Sequence, residues 1–480
     1  MSQGSGFRAK QSGQVLVYCA AMLVVMALTT GYVFNSGQIS NEKTRLQNTV
    51  DAAAYSVAAV EAKDLNFKAY TNRAMVANHV SIAQSVSLIS WARYYDRYAQ
   101  NITTILKAIP YIGPLFAGAG KVISGLVNAI EFIIGGLVSG VEGVNHVLSH
   151  SQHLMHIGTI PLAYETMKNV VEKNDKDVDT SISFKDVVFM DSLRKGHWDF
   201  TNQYDPSKVN LGKAGKSYAE HKARMDEFRR VVLDSRDGFS QTRNHTTSSI
   251  NLLKIKFRVV KAGGTEFLAQ PGEPEYYTWA AMDTLSIHRN EWGKKGTFSW
   301  GWKGWKETLP VGWGAAQTGQ NIAYAGHRGA KFGSTWKTNP TASGLATGEN
   351  QSKPKVGIYN GLKRFYDIKS EGLLSEAPGV TILVTKPHDK GKINTLKHTD
   401  YYLKGSQLDL EAKGGMLKDR MAAFAKAAPS FSRPSDVLQL KRNDSFREYG
   451  NLYNPYWQPR LVELDSSLKD TVITIAATHL

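Results

Sequence analysis

The sequence predicts an α+β protein in which a single N-terminal transmembrane helix continues into a long helix and a helical hairpin, followed by an α+β head. Three observations carry this. Val15–Phe34 is a run of twenty residues without a charge. Gln38–Ile109 contains neither glycine nor proline. Past Asn174 the helical pattern gives way to short β-branched segments with alternating polarity.

Residues 1–14 form a polar leader, and residues 15–34 the transmembrane helix. At about 1.5 Å per residue, twenty helical residues cover the roughly 30 Å hydrocarbon layer of a bilayer. Arg8 and Lys10 precede the run, so the leader is expected on the cytoplasmic side and the rest of the chain outside. A cleaved signal peptide is the competing reading. Its apolar core is shorter, about 7–15 residues, and ends in a small-x-small exit that is missing here. Cys19 then reads as a thiol within the anchor.

Residues 35–173 are expected to form the extended helix and the hairpin. Ile39, Leu46, Val50, Ala53, Val57 and Val60 step mainly by threes and fours, which places them on one narrow apolar stripe. Small residues beside it, Ala52, Ala54, Ala58 and Ala59, allow another helix to approach closely. The stripe loses phase near Asp64–Asn66, where a break is expected. Pro110 and Pro114 end the block. In the following segment, Lys121–His156, the charges Lys121, Glu131 and Glu142 cut the uncharged runs to nine and ten residues. These are too short to span a bilayer, so the segment is read as folding back on the first helix, the alternative being a helix lying on the membrane surface.

Residues 174–480 form the α+β head. Leu252–Val260, Glu275–Ile287 and Gly379–Thr385 have strand character, Gly415–Ala428 reads as a helix ended by Pro429, and Thr471–Thr478 reads as a closing strand. The chain of 480 residues has a formal net charge of +16. Such a surface favours anionic partners, namely lipid head groups or acidic glycans. No run of five basic residues occurs, which argues against a nucleic-acid arm. The single cysteine lies in the anchor, so the exported part carries no disulfide.

The opening of the chain resembles the TadG-like, Tad-domain members of the Flp, or tight-adherence, pilus-assembly family. The resemblance rests on Gly13-Gln14-Val15-Leu16-Val17 at the membrane entry, the single anchor helix, and the exit Leu46-Gln47-Asn48-Thr49-Val50-Asp51-Ala52-Ala53-Ala54. It covers about residues 10–60, and Asn66–Gln84 and Asn451–Leu461 are similar to segments of longer Tad-domain proteins. Where prepilin-type substrates place a glutamate, five residues past the glycine, this chain has Tyr18. The resemblance implies a pilin-like helix and a non-enzymatic, single-pass component of the bacterial inner membrane with a periplasmic or surface head. It also implies partners among other Tad/Flp or TadE-like membrane proteins. Gly13, Leu46, Val50, Asp51, Ala53 and Val57 are its expected interaction positions.

Two other constellations bear on chemistry. Trp300, Trp302 and Trp305 around Lys303 offer aromatic faces beside cations, suited to a glycan or an anionic surface in an adhesin-like alternative, or else to a small β-core edged by lysines. His146, His150, His153 and His156 share one helix face and read either as metal ligands or as a polar packing face. No G-x-S-x-G or H-E-x-x-H motif appears, and Lys121 is followed by Val122 where a phosphate-binding loop needs Ser or Thr. No catalytic residue and no cofactor is expected.

Overall fold

The structure, a computed structural model, describes residues 12–107, 119–179, 187–209, 216–270, 273–296, 298–319, 324–369, 375–387, 420–434, 444, 446, 448–464 and 470. The leader up to residue 11, Pro110 and Pro114, and the strand expected at Thr471–Thr478 lie outside them. In chain order the main elements are α1 (Ser12–Lys107), α2 (Ala119–Asn174), α3 (Val187–His197) and α4 (Lys216–Asp234). Strands β1 (Ile255–Gln270), β2 (Glu273–Lys294) and β3 (Lys306–Gln317) follow, then α5 (Pro340–Asn350). Strands β4 (Val380–Pro387), β5 (Arg420–Phe431) and β6 (Trp457–Val462) complete the set. The mixture of long helices and antiparallel sheets is the expected α+β class.

Contacts divide the chain into two units, and α1 and α2 contribute to both. The first unit comprises Met1–Phe67, Leu154–Asn202 and Ile368–Leu480. Its sheet is antiparallel in the order β6-β5-β4. Leu46, Val50, Ala53, Ala54, Val57 and Ala58 of α1 are buried against Ala163, Met167 and Val171 of α2, Phe189 and Leu193 of α3, and Val380, Ile382, Ala423, Ala425 and Ala427 of the sheet.

Two expectations need correction here. The helix expected over Gly415–Ala428 is strand β5 over its described part, Arg420–Ala428. Alanine favours helix by propensity, but Ala423, Ala425 and Ala427 alternate inward, and burial on a flat face overrides that preference. The break expected near Asp64–Asn66 is absent, because α1 runs uninterrupted from Ser12 to Lys107. The polar residues that upset the apolar phase instead face other elements, buried Asp64 toward His197 and half-buried Asn66 toward the Trp457 backbone.

The second unit comprises Lys68–His153 and Gln203–Asp367. Within it α1 and α2 form an antiparallel hairpin. Arg93 bonds Glu131 at 2.7 Å, Asn78 bonds Asn145 at 2.9 Å, and Asn72 accepts from Gln152 at 2.7 Å, so α2 numbers rise as α1 numbers fall. The carboxylates that interrupt the apolar runs of α2 point into this unit, since Glu131 pairs with Arg93 and Glu142 with Lys363. The outward face keeps Leu126, Phe132, Ile133, Val144 and Val147 exposed. Both α1 and α2 contain segments long and apolar enough to cross a membrane by length and composition, which departs from the expectation of a single span with the runs of α2 too short to cross.

The sheet of this unit is built on β1 and β2, with β3 paired to β2. Gly314 of β3 lies directly on α1. A Cβ there would sit 2.3 Å from the backbone nitrogen of Tyr94 and 2.5 Å from the carbonyl oxygen of Ser90. Beside it Asp283 is fully buried and accepts from Arg243 at 2.9 Å, Lys261 at 2.6 Å and Ser90 at 2.8 Å. Burial opposes its ionisation, but the two cations outweigh it and hold the carboxyl below its usual range.

Gly314→Ala is therefore expected to destabilise the protein by about 1–3 kcal/mol through overpacking. Gly344→Ala, in the open on α5, should be neutral or stabilising by up to about 1 kcal/mol. Thermal melts followed by circular dichroism compare the two.

Candidate functional site

The stretch where α1 leaves its apolar run is the most constrained part of the first unit. Side chains from Val15 to Phe34 are largely exposed, Leu16 and Tyr18 by more than two thirds. From Leu46 the pattern reverses, and Leu46, Thr49, Val50, Ala53, Ala54, Val57, Ala58 and Glu61 are each at most 2 % exposed. The spacing of three and four that marks a helical stripe in the sequence is thus the spacing of the buried face. Of the expected interaction positions, Leu46, Val50, Ala53 and Val57 pack against this chain's own α2, α3 and sheet. Asp51 stays half-buried and accepts from Gln47 at 2.8 Å, while Gln47 also donates to the Phe424 carbonyl at 3.1 Å. Gly13 lies in the first turn of α1.

A buried ion cluster closes the end of this seam nearest the apolar run. The Lys386 ammonium of β4 donates to Glu42 of α1 at 2.7 Å and to Asp175, just past α2, at 2.8 Å. Arg45 adds an ion pair to Asp175 at 3.7 Å and donates to the Asn174 carbonyl at 3.3 Å. Burial disfavours both charges, yet their mutual hydrogen bonds prevail, so Asp175 is held below its usual range and Lys386 above its own. Three elements distant in sequence are tied at one point.

Further along α1, Asn66 acts as a strand surrogate. Its amide donates to the Trp457 carbonyl at 2.8 Å, and its oxygen accepts from the Trp457 N–H at 3.0 Å. The Trp457 ring is 2 % exposed, with Phe200 at 5.9 Å and Phe431 at 5.4 Å between centroids. Two segments singled out separately in the sequence, around Asn66 and around Trp457, meet here.

Between these anchor points lies a cluster of polar side chains. Asp64 of α1 faces Nδ1 of His197 at the end of α3 at 3.5 Å and Nδ1 of His156 on α2 at 4.0 Å. The two imidazoles stack with centroids 4.2 Å apart. Glu61, one turn before Asp64, is 2 % exposed, and burial followed by the Asp64 charge raises it well above the usual carboxylate range.

The histidine stripe separates accordingly. His146 and His150 are exposed, and His153 shares a hydrogen bond with the Tyr366 hydroxyl at 2.9 Å. His156 alone of the four joins His197 and Asp64. The sequence reading missed His197, Asp64 and Glu61. The phase slip in the apolar stripe of α1 was the only sequence signal for Asp64 and Glu61, and His197 had none.

The tryptophan cluster belongs to the second unit. Trp302 packs edge-on to Trp292 at 5.5 Å, and its face is covered by Lys256 at 4.2 Å. Arg258 covers Trp305 at 4.2 Å. Trp300, 68 % exposed, and Lys303 remain open to solvent beside the exposed Phe298.

Residues 13–60 match the Tad family model, described as "Putative Flp pilus-assembly TadE/G-like". No curated protein and no solved structure shows a significant match to the chain. The matched segment ends as the buried seam ends, so it comprises the apolar run and the joint that fixes it to the first unit.

Replacing Lys386 by Met is expected to cost about 3–5 kcal/mol, because it strands Asp175 and Glu42 without their buried partner. Since the folded chain depresses Asp175, that group contributes stability above its unfolded value near about 4 and loses it as pH falls through the lower folded value. Urea unfolding in detergent at pH 7 and at progressively lower pH should show the wild type losing this contribution and Lys386→Met lacking most of it.

Proposed function

We propose that this chain, whose residues 13–60 form a TadE/G-like segment, is a membrane-anchored, non-enzymatic component of Flp pilus assembly. One observation carries the reading. The family-matched segment is a single helix that is apolar and exposed over residues 15–34 and buried in the chain's own core from residue 46. The exposed apolar part is suited to lipid and to helices of other membrane proteins, which are the partners proposed here. The buried part is suited to transmitting the position of the anchor to the first unit rather than to recruiting a second protein. The Arg8 and Lys10 leader supports a cytoplasmic N-terminus and an exported head in the inner membrane of a bacterium.

A second reading is favoured by the tip of the sheet in the second unit. Leu253, Phe298 and Trp300 are exposed there, and Lys294, Lys295 and Lys303 stand near them in sequence. That combination suits contact with an acidic glycan, as in a tethered adhesin. Trp300→Ala with Lys303→Glu should then abolish glycan capture while leaving pili intact.

The principal test is photo-crosslinking in cells from single positions on α1. A crosslinker at exposed Val24 or Val25 is expected to capture other membrane proteins of the assembly, and one at buried Val50 to give only crosslinks within the chain. Deleting the gene should abolish Flp pili. Normal piliation in the deletion strain would refute the assignment.

A further inference from the structure

We propose that Asp64, His156 and His197 bind one divalent transition-metal ion of the zinc class, with the Glu61 carboxylate beside it, and that the ion fastens α3 to the two long helices. Three elements converge on the site. Glu61 and Asp64 stand three apart on α1 and therefore share a face, His156 comes from α2, and His197 ends α3. The ligand atoms of Asp64, His156 and His197 all lie within 4.8 Å of one another. A tetrahedral zinc ion with bonds of about 2.0–2.1 Å places its ligand atoms about 3.4 Å apart. The observed separations from Asp64 Oδ2, 3.5 Å and 4.0 Å to the two Nδ1 atoms, need only a small contraction to meet that geometry.

The orientation of His197 adds a second observation. Its Nε2 lies 2.6 Å from the carbonyl oxygen of His156, and a carbonyl only accepts, so Nε2 carries the hydrogen. In the neutral ring Nδ1 then turns a lone pair toward the Asp64 carboxylate, acceptor against acceptor. A cation between them resolves the conflict, as a second proton on the ring also does. An imidazole held by a backbone carbonyl through one nitrogen and offering the other is also the arrangement that orients metal-bound histidines.

The third observation is Glu61. Among the described residues neither of its carboxylate oxygens has a hydrogen-bond partner, although both are buried. The side chain lies against Gly196, the residue before His197. A Cβ at Gly196 would come within 3.0 Å of Glu61 Oε1 and 2.9 Å of the Pro378 carbonyl, so glycine leaves the room that this carboxylate occupies. Of two neighbouring buried carboxylates one must hold a proton or meet a cation, and a dication beside them takes the place of that proton. Two imidazoles and one carboxylate supply three converging ligands, and Glu61, one turn before Asp64 on α1 with both oxygens unpartnered, is the neighbouring group able to complete the shell.

The test uses the full chain purified in detergent without a metal-affinity step. Elemental analysis is expected to find about one equivalent of zinc per chain. Asp64→Asn and His197→Gln should lose that equivalent, whereas His146→Ala and His150→Ala, at exposed positions of α2, should keep it. Dialysing the wild type against a chelator should lower its melting temperature, with recovery on adding zinc and none on adding magnesium. Should the two ligand variants fail to fold, cobalt uptake by the chelated wild type decides, and the intense visible bands of a tetrahedral ion with nitrogen ligands are expected. A wild type that neither retains zinc nor takes up cobalt overturns the proposal. So does a folded Asp64→Asn or His197→Gln chain with undiminished metal.

Discussion

A helix leaving an apolar layer has already satisfied its backbone hydrogen bonds within itself, so it can continue into water without interruption. What decides its fate there is the stripe it presents. In this chain Leu46, Val50, Ala53, Val57 and their neighbours are closed over by α2, α3 and the β4–β6 sheet. Burying such a stripe stabilises by roughly 25 cal/mol for each Å² of apolar surface removed from water. The small alanines allow α2 and the sheet to approach closely, as leucines would not. Every other feature of the first unit depends on this closure, because the same turns of α1 carry Glu42, Arg45, Glu61, Asp64 and Asn66 to their partners.

Those polar groups divide the work differently from the apolar ones. The stripe supplies most of the burial but is tolerant of sliding, since alanines and valines offer little directional preference. The ion cluster at Lys386, the paired hydrogen bonds between Asn66 and Trp457, and the Asp64–histidine cluster are directional and fix register along the helix. They sit at successive points of α1, so a shift by one turn breaks all three. Under the proposed function, a joint of defined register lets the position of the apolar run of α1 be read by the first unit.

Much of this was legible in the sequence, and the misses have physical reasons. The absence of glycine and proline from Gln38 to Ile109 announces the long helix, and the three-and-four spacing from Leu46 names its buried face correctly. What spacing cannot say is who covers that face, since a stripe closed by another protein and one closed by its own sheet read alike. Asp64 and Asn66 looked like a break because apolar periodicity treats a buried polar residue as noise. They proved to be partnered groups, with Asn66 matched to a tryptophan 391 residues away in sequence. Ala423, Ala425 and Ala427 illustrate the opposite failure, in which local helix propensity yields to a tertiary surface that accepts only a flat strand. His197 lay beyond reach because nothing local distinguishes it from a surface histidine at a helix end.

Hydrogen–deuterium exchange of the full chain in lipid nanodiscs tests the central claim most directly, because it reports opening of the seam without altering it. If the Leu46–Asp64 stretch is the core of the first unit, its amides exchange as slowly as those of Ala423–Ala427 in β5, and both lose protection together as denaturant is added. Exchange of 46–64 at the rate of a solvent-exposed helix, while β5 remains protected, would contradict the account.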